Sequence, residues 1–355
     1  MNINNFSAGP SKIPRSVIKD ISRDIINYDK LDYSILELSH RSDKFSNIIN
    51  KTKAYLTEFL DIPSNFEIIF LQGGATFQNT FIPANNPQID KDIIFLLSGT
   101  WGTKTFKDFN NYFNSRAPSI SLQNQSFDEI ISEINNFEES YLYLTSNETI
   151  EGYQIKEFDK IKNKKLIIDM SSDICSYKFN WKNIAYVYAG AQKNLGIPGV
   201  TICIFDKEFS KVKNLPSYLK AENHIEKNSA FNTPPTFSIY VMLKVLEWIH
   251  ETGGIDNIEK NSIKKAKYLY DFLDDNNEKL ILNVPKEYRS HSNIVFDFKN
   301  KNQTPLFLEE SISKGFIGLN GHRSVGGIRV SNYNSIDMKM IEEFIKHLKS
   351  FLSNN

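Results

Sequence analysis

Residues 165–205 read KLIIDMSSDICSYKFNWKNIAYVYAGAQKNLGIPGVTICIF, and three short apolar runs within them decide the fold. Leu166–Asp169, Ala185–Tyr188 and Val200–Phe205 are rich in Ile, Val, Tyr and Phe and lack the polar alternation of a strand with one wet face. Strands of this kind are covered on both sides, as in a parallel or mixed sheet between helices. The first run ends on Asp169. The second leads into Ala189-Gly-Ala-Gln-Lys-Asn194, which sets Lys193 among small residues. A carboxylate and an amine therefore stand at neighbouring strand ends, where open α/β sheets gather their ligands.

The same pattern extends towards the amino terminus. Glu67–Leu71, Ile93–Leu97 and Tyr141–Thr145 are further buried-strand candidates, and Phe45–Leu60, Thr103–Phe113 and Phe127–Phe137 are amphipathic at helical spacing. This alternation predicts an α/β fold with a mostly parallel sheet. Towards the carboxyl terminus, Thr236–His250 and Ile258–Asp274 read as helices separated by Gly253-Gly254. That break places a domain boundary near residue 254. The expected division is a large unit of residues 15–254 and a smaller α+β unit of residues 255–355. In the latter, strands are expected at Ser292–Phe298 and Gly327–Val330, and helices at Leu306–Ser313 and Asp337–Leu352. Residues 1–14 show no element of their own and are assigned to the small unit, packing against it or against the site.

The chain has 355 residues, enough for two domains of roughly 100–200 residues each. Lys plus Arg and Asp plus Glu are 42 each, so the formal net charge is zero. This balance argues against a nucleic acid or an acidic membrane as the main partner and leaves room for small anions bound by a local cluster. Two cysteines, Cys175 and Cys203, are too few for a disulfide framework, and no metal-ligand spacing appears. The first residues lack a signal-peptide pattern, and no apolar run approaches the ~18 residues of a membrane span. A cytoplasmic location is the expectation.

Several strand candidates end in loops suited to ligand binding. Gly73-Gly74-Ala75-Thr76 follows Glu67–Leu71 and precedes a helical pattern over Thr76–Pro83. Small residues at such a turn let backbone N–H groups approach a phosphate at a helix N-terminus. Trp101, in Ser98-Gly-Thr-Trp-Gly102, could stack on a planar ring, and Thr149, in Asn147-Glu-Thr-Ile-Glu-Gly152, could bond a ring oxygen. Taken singly, these residues also read as a tight turn, a rim tryptophan and a cap. Their convergence on one sheet edge with Asp169 and Lys193 suits pyridoxal phosphate, with the amine forming a Schiff base and the carboxylate keeping the pyridine nitrogen protonated. Gln192 stands beside the lysine and could touch the phosphate. His40-Arg41, His322-Arg323 and Arg329 form basic clusters able to grip carboxylate or phosphate.

With these motifs assembled, the chain resembles the phosphoserine aminotransferases, a family of fold-type I, class V pyridoxal phosphate enzymes. The resemblance runs nearly end to end, through Asn5-Phe-Ser-Ala-Gly-Pro10, Leu38-Ser-His-Arg-Ser42, Asn147-Glu-Thr-Ile-Glu-Gly152, Ala189-Gly-Ala-Gln-Lys-Asn194, Asn232-Thr-Pro-Pro-Thr236 and residues 321–334. It implies that Lys193 is the Schiff-base lysine, Asp169 the partner of the ring nitrogen, Trp101 the stacking ring and Thr149 the partner of the phenolic oxygen. Gly74, Ala75, Ser171 and Gln192 would hold the cofactor phosphate, completed by Asn232 and Thr233 of the partner subunit in a homodimer with active sites at the interface. His322 and Arg323, with His40 and Arg41 of the partner subunit, would surround the substrate phosphate, and Arg329 would hold the α-carboxylate.

The implied reaction is the reversible transamination of 3-phosphohydroxypyruvate with L-glutamate, giving O-phospho-L-serine and 2-oxoglutarate. The phosphorylated keto acid of pyridoxine synthesis fits the same anionic site. Ala75-Thr76 stands where some members carry an arginine. The alternatives are an alanine–glyoxylate type aminotransferase, which needs no anion cluster, a cysteine desulfurase, which needs a mobile nucleophilic cysteine, and a silent cofactor-binding paralogue.

Overall fold

Apolar runs without a wet face become the inner strands, and the amphipathic stretches cover them. The computed structural model describes residues 3–114, 117–122, 125–210, 212 and 214–354. Along the chain, β1 (Asn4–Asn5), α1 (Arg15–Ile26) and α2 (Asp43–Leu60) lead into β2 (Phe66–Leu71), α3 (Gly74–Asn85), β3 (Ile93–Leu97) and α4 (Thr100–Phe113). There follow β4 (Ser119–Ser121), α5 (Phe127–Asn135), β5 (Tyr141–Thr145), β6 (Lys165–Asp169), β7 (Ile184–Gly190) and β8 (Thr201–Asp206). The chain continues through α6 (Ala221–Glu226), α7 (Thr236–Glu251), α8 (Gly254–Asp275), β9 (Leu280–Ile281), β10 (Asn293–Phe298), α9 (Gln303–Ser313), β11 (Phe316–Ile317), β12 (Ile328–Ser331) and α10 (Met338–Asn354).

The central sheet has the order β2-β8-β7-β6-β5-β3-β4. Pairs from β7 to β4 are parallel, while β8 is antiparallel to both β7 and β2. β2 therefore runs with β7, and β8 alone is reversed. The carboxyl ends of β2, β3, β5, β6 and β7 thus share one edge, and the loops after them meet there. Register aligns Thr145, Asp169 and Tyr188 across β5, β6 and β7, so these side chains emerge on one face. On that face Ile167, Tyr143 and Tyr188 pack with Phe81 and Phe109 of α3 and α4. The opposite face, with Leu144, Ile168 and Val187, packs against α2 and α7.

A separate core lies towards the carboxyl terminus, where α8, α9 and α10 cover β10 and β12 through Leu269, Phe296, Phe307, Val330, Phe344 and Phe351. Phe6 belongs to this core although it stands near the start of the chain. β1 pairs in parallel with β11, and the Phe6 ring lies 6.5 Å from Phe316 and 5.7 Å from Phe344. Met1, Asn2 and Asn355, placed in the small unit from sequence, lie outside the described residues. Phe6→Ala removes a ring with no solvent exposure. It should cost about 3–5 kcal/mol, read as a lowered urea midpoint; an unchanged midpoint would mean that the arm adds nothing to this core.

Departures from the sequence expectations have local causes. β4 has a single buried residue, Ile120, between two exposed serines, too short for any periodicity to register. α3 continues past Pro83 to Asn85, although the proline nitrogen has no hydrogen to donate back along the helix. The break at Gly253-Gly254 is real: Gly253 adopts φ 98° as the residue before α8, a conformation open to glycine at little cost. α4 begins at Thr100, three residues before the apolar pattern starts, because carboxylates from a distant loop satisfy its first N–H groups.

Candidate active site

Lys193 lies in the turn after β7, partly buried, with its amine 5.9 Å from the centre of the Trp101 ring. Among the described residues this amine makes no hydrogen bond or ion pair. Desolvation lowers its pKa, while Asp169 first, then Glu148 and Asp173, oppose the shift. Asp169 ends β6, the strand next to β7, and its Oδ1 accepts the backbone N–H of Ser171 at 2.8 Å. Trp101 donates its indole N–H to the Thr149 hydroxyl at 3.0 Å. Arg329, on β12, reaches the same loop and donates from Nη1 to the Thr149 carbonyl at 2.9 Å. Its Nε is buried without a partner, and desolvation lowers its pKa against the opposing influence of Tyr333 and Glu151. One amine, one carboxylate, one aromatic face and one half-used guanidinium therefore converge from four segments of chain.

A second group lies at the starts of turns and helices on the same edge. Gly74 and Ala75 open α3, whose first N–H groups lack carbonyl partners within the helix. A Cβ built on Gly74 would meet nothing within 4 Å, so the approach to this helix start is open. The Ser171 hydroxyl accepts the Gly190 N–H at 3.2 Å, and a Cβ on Gly190 would stand 2.5 Å from Gln192 Oε1. Ser171 and Gln192 thus meet over one glycine. Asn232 donates to Gln72 Oε1 at 3.2 Å, beside Gly73-Gly74, and Thr233 is exposed next to it.

The basic dipeptides are placed differently. Arg41, His322 and Arg323 are exposed and His40 is half-buried. His322 bonds only locally, with Ser324 Oγ 2.7 Å from its Nδ1. Among the described residues, no hydrogen bond or ion pair joins these four to Lys193, Asp169 or Arg329.

Three features of the site were not read from sequence. Glu148 is fully buried; its Oε2 accepts the Trp101 N–H at 3.0 Å and its Oε1 the Gly102 N–H at 2.8 Å. Burial pushes its carboxyl up to about 8, with Glu151 adding to the rise and the two N–H groups opposing it. Asp173, also without exposure, accepts from Ser146 Oγ, the Tyr177 hydroxyl at 2.9 Å and Gln154 Nε2 at 3.2 Å, and burial raises it to about 6. The N-terminal arm crosses the lysine turn: Ser11 donates N–H to the Gln192 carbonyl at 3.0 Å and its hydroxyl to the Lys193 carbonyl. Two glycines flanking Trp101 were the one visible trace of Glu148. Nothing in the sequence marked Ser11.

These donors fit pyridoxal phosphate. An unbonded amine faces an aromatic ring, a buried carboxylate sits on the adjacent strand, and an open helix start can take a phosphate. Cys175 and Cys203 are buried and desolvation raises both thiols, the second to about 12, so neither has the exposed thiolate of a sulfur-transferring enzyme.

The fold and this site define a pyridoxal-phosphate-dependent transaminase, and the chain belongs to the class-V aminotransferase family, whose profile matches residues 3–344. Within it, the phosphoserine aminotransferase of Halalkalibacterium halodurans is 38% identical over 351 residues, covering 98% of this chain and 97% of that protein. The solved phosphoserine aminotransferase from Bacillus circulans subsp. alkalophilus superposes with a TM-score of 0.93 at 35% identity, covering 100% of this chain and 99% of that one. A pyridoxal-phosphate-bound phosphoserine aminotransferase from Trichomonas vaginalis gives a TM-score of 0.89 at 28% identity, over 98% of this chain and 100% of that one.

Proposed function

We propose that the chain transfers the amino group of L-glutamate to 3-phosphohydroxypyruvate, reversibly, giving O-phospho-L-serine and 2-oxoglutarate. The observation that carries this reading is the unbonded Lys193 amine over Trp101, at the edge where Asp169 and Arg329 also arrive. The likeness to phosphoserine aminotransferases supports the substrate.

When bound, pyridoxal phosphate supplies an electron sink for the carbanion left by loss of a proton. Lys193 Nζ takes that proton from the substrate Cα and returns one in the reverse direction; its lowered pKa raises the share of free amine at neutral pH. Asp169 holds a proton at the pyridine nitrogen. The N–H groups of Gly74 and Ala75, the Ser171 hydroxyl and the Gln192 amide bind the cofactor phosphate, and Thr149 and Trp101 fix the ring. Arg329 grips the α-carboxylate with its free edge, whose buried Nε awaits an acceptor.

The partner in this reading is a second copy of the chain. His322 and Arg323, with His40 and Arg41 of the partner subunit, take the substrate phosphate or the glutamate γ-carboxylate in turn. Asn232 and Thr233 of the partner subunit complete the cofactor phosphate site. The exposure of Arg41, His322 and Arg323 in the single chain supports this arrangement. The separate core holding Phe6 supports two units, residues 15–254 and residues 255–355 with 1–14. The two buried free thiols suit a reducing cytoplasm. No helix among the described residues is long and apolar enough to cross a membrane.

A donor assay against 2-oxoglutarate tests the substrate. O-phosphoserine should react with ping-pong kinetics, and serine, alanine and cysteine should be at least about 10²-fold poorer, since each leaves the basic cluster unpaired. Comparable turnover of alanine would overturn the reading in favour of an alanine–glyoxylate type enzyme. Light scattering should give twice the 40.9 kDa chain mass.

A further inference from the structure

Helix α4 is capped from afar. The residue before it, Gly99, has no side chain to offer, and two carboxylates from the loop after β5 take its place. Glu148 binds the N–H groups of Trp101 and Gly102, and Glu151 Oε1 binds the N–H of Thr100 at 3.0 Å and also its hydroxyl. Space for them exists only because glycine occupies position 99: a Cβ there would stand 2.5 Å from Glu151 Oε2 and 2.8 Å from Glu148 Cδ. At Gly102 it would stand 3.3 Å from Glu148 Oε1. Gly99 has φ 179°, so the requirement there is one of room and not of backbone conformation.

We infer that Glu148 is the positioning residue for Trp101, fixing the plane of the indole against the cofactor ring. Two bonds hold Trp101 and a third steadies the loop that makes them. The Trp101 backbone N–H is held by Glu148, its indole N–H by Thr149, and the Thr149 carbonyl by Arg329. Glu148 and Thr149 are adjacent, so one short loop holds both the Trp101 backbone and its indole N–H. A cap serving helix stability alone could come from the residue before the helix, as Ser42 and Ser126 do for α2 and α5. Burying a carboxyl group for that purpose is costly, as its rise to about 8 reflects, and its bonds to two N–H groups at the positive end of the helix offset only part of that cost. The arrangement transmits the position of the β5 loop directly to the aromatic ring. Glu148 is also among the charges acting on Lys193, a second route that the experiment must separate.

The inference rests on Trp101 being the ring-contact residue, and a double-mutant cycle keeps the two ideas apart. Apoprotein of wild type, Trp101→Phe, Glu148→Gln and the double variant would be titrated with pyridoxal phosphate. Affinity would be read from fluorescence and ring orientation from the visible circular dichroism of the bound cofactor. Glutamine turns an amide N–H2 towards a backbone N–H, losing one bond while keeping the shape. Each single variant should weaken binding about tenfold and reduce the dichroism, and the double variant should be no worse than the weaker single one. Multiplying losses would overturn the inference and assign Glu148 to the charge at Lys193. If Trp101→Phe left affinity and dichroism unchanged, the ring-contact reading would fall and the inference with it. Should Glu148→Gln fail to fold, Gly99→Ala pushes on the same carboxylate and should reproduce the dichroism change; an unaltered signal there would equally count against it.

Discussion

Lys193→Ala should abolish transamination of O-phosphoserine, by about 10⁴-fold or more, because in the proposed reaction one residue both joins the cofactor and moves the Cα proton. Two of the carboxylates that act on the lysine are already committed. Asp169, its strongest electrostatic neighbour, is engaged with the Ser171 N–H, and Asp173 is enclosed by Ser146, Tyr177 and Gln154. The cofactor should still bind through the open start of α3, but without the visible band of the lysine-linked form. Lys193→Arg separates charge from chemistry: it keeps a cation but cannot act as a free amine, and it should be as inactive as the alanine variant. A small primary amine in solution should restore part of the proton transfer. Near-normal turnover by Lys193→Ala would remove the lysine from the reaction.

Arg329→Ala should lower kcat/KM for both the amino donor and the keto acceptor by about 10²–10³-fold, since the proposed carboxylate–guanidinium pair would be lost in each half-reaction. Every substrate carries the α-carboxylate, whereas only some carry a phosphate. The geometry accounts for the size of the loss. Nη1 is committed to the Thr149 carbonyl, which holds the fork at a fixed angle, and Nε is buried without a partner. Arg329→Lys should recover little, because a single ammonium cannot bond the Thr149 carbonyl and a carboxylate in the same plane. A loss limited to one of the two substrates would refute a shared carboxylate site.

The inner strands were legible because their code is local. Leu166–Asp169 and Tyr141–Thr145 needed only short apolar runs, and the small neighbours of Lys193 marked it as a candidate. What the sequence withheld was held together by contacts between distant residues. β1 and β11 are two residues each and exist only as a pair. Glu148 looked like one more polar loop residue, because the two N–H groups it serves lie 46 and 47 positions away. The early start of α4 was hidden for the same reason. The basic dipeptides stood out as residue types, yet a single chain leaves Arg41, His322 and Arg323 in solvent, and no local contact marks a task for them.

The N-terminal arm has a consequence for the order in which the molecule is completed. Asn4 bonds Glu343, 339 positions on, Phe6 lies in a core built mainly from residues beyond 266, and Ser11 closes over the Lys193 turn. The arm must therefore wait for α10 before it finds its seat. Closing so long a loop adds little equilibrium cost, but contacts of this range form late. Arg329 stands on β12, outside the central sheet that positions Asp169 and Lys193, so the site is complete only when both cores have formed, and docking of the arm is among the last acts of folding.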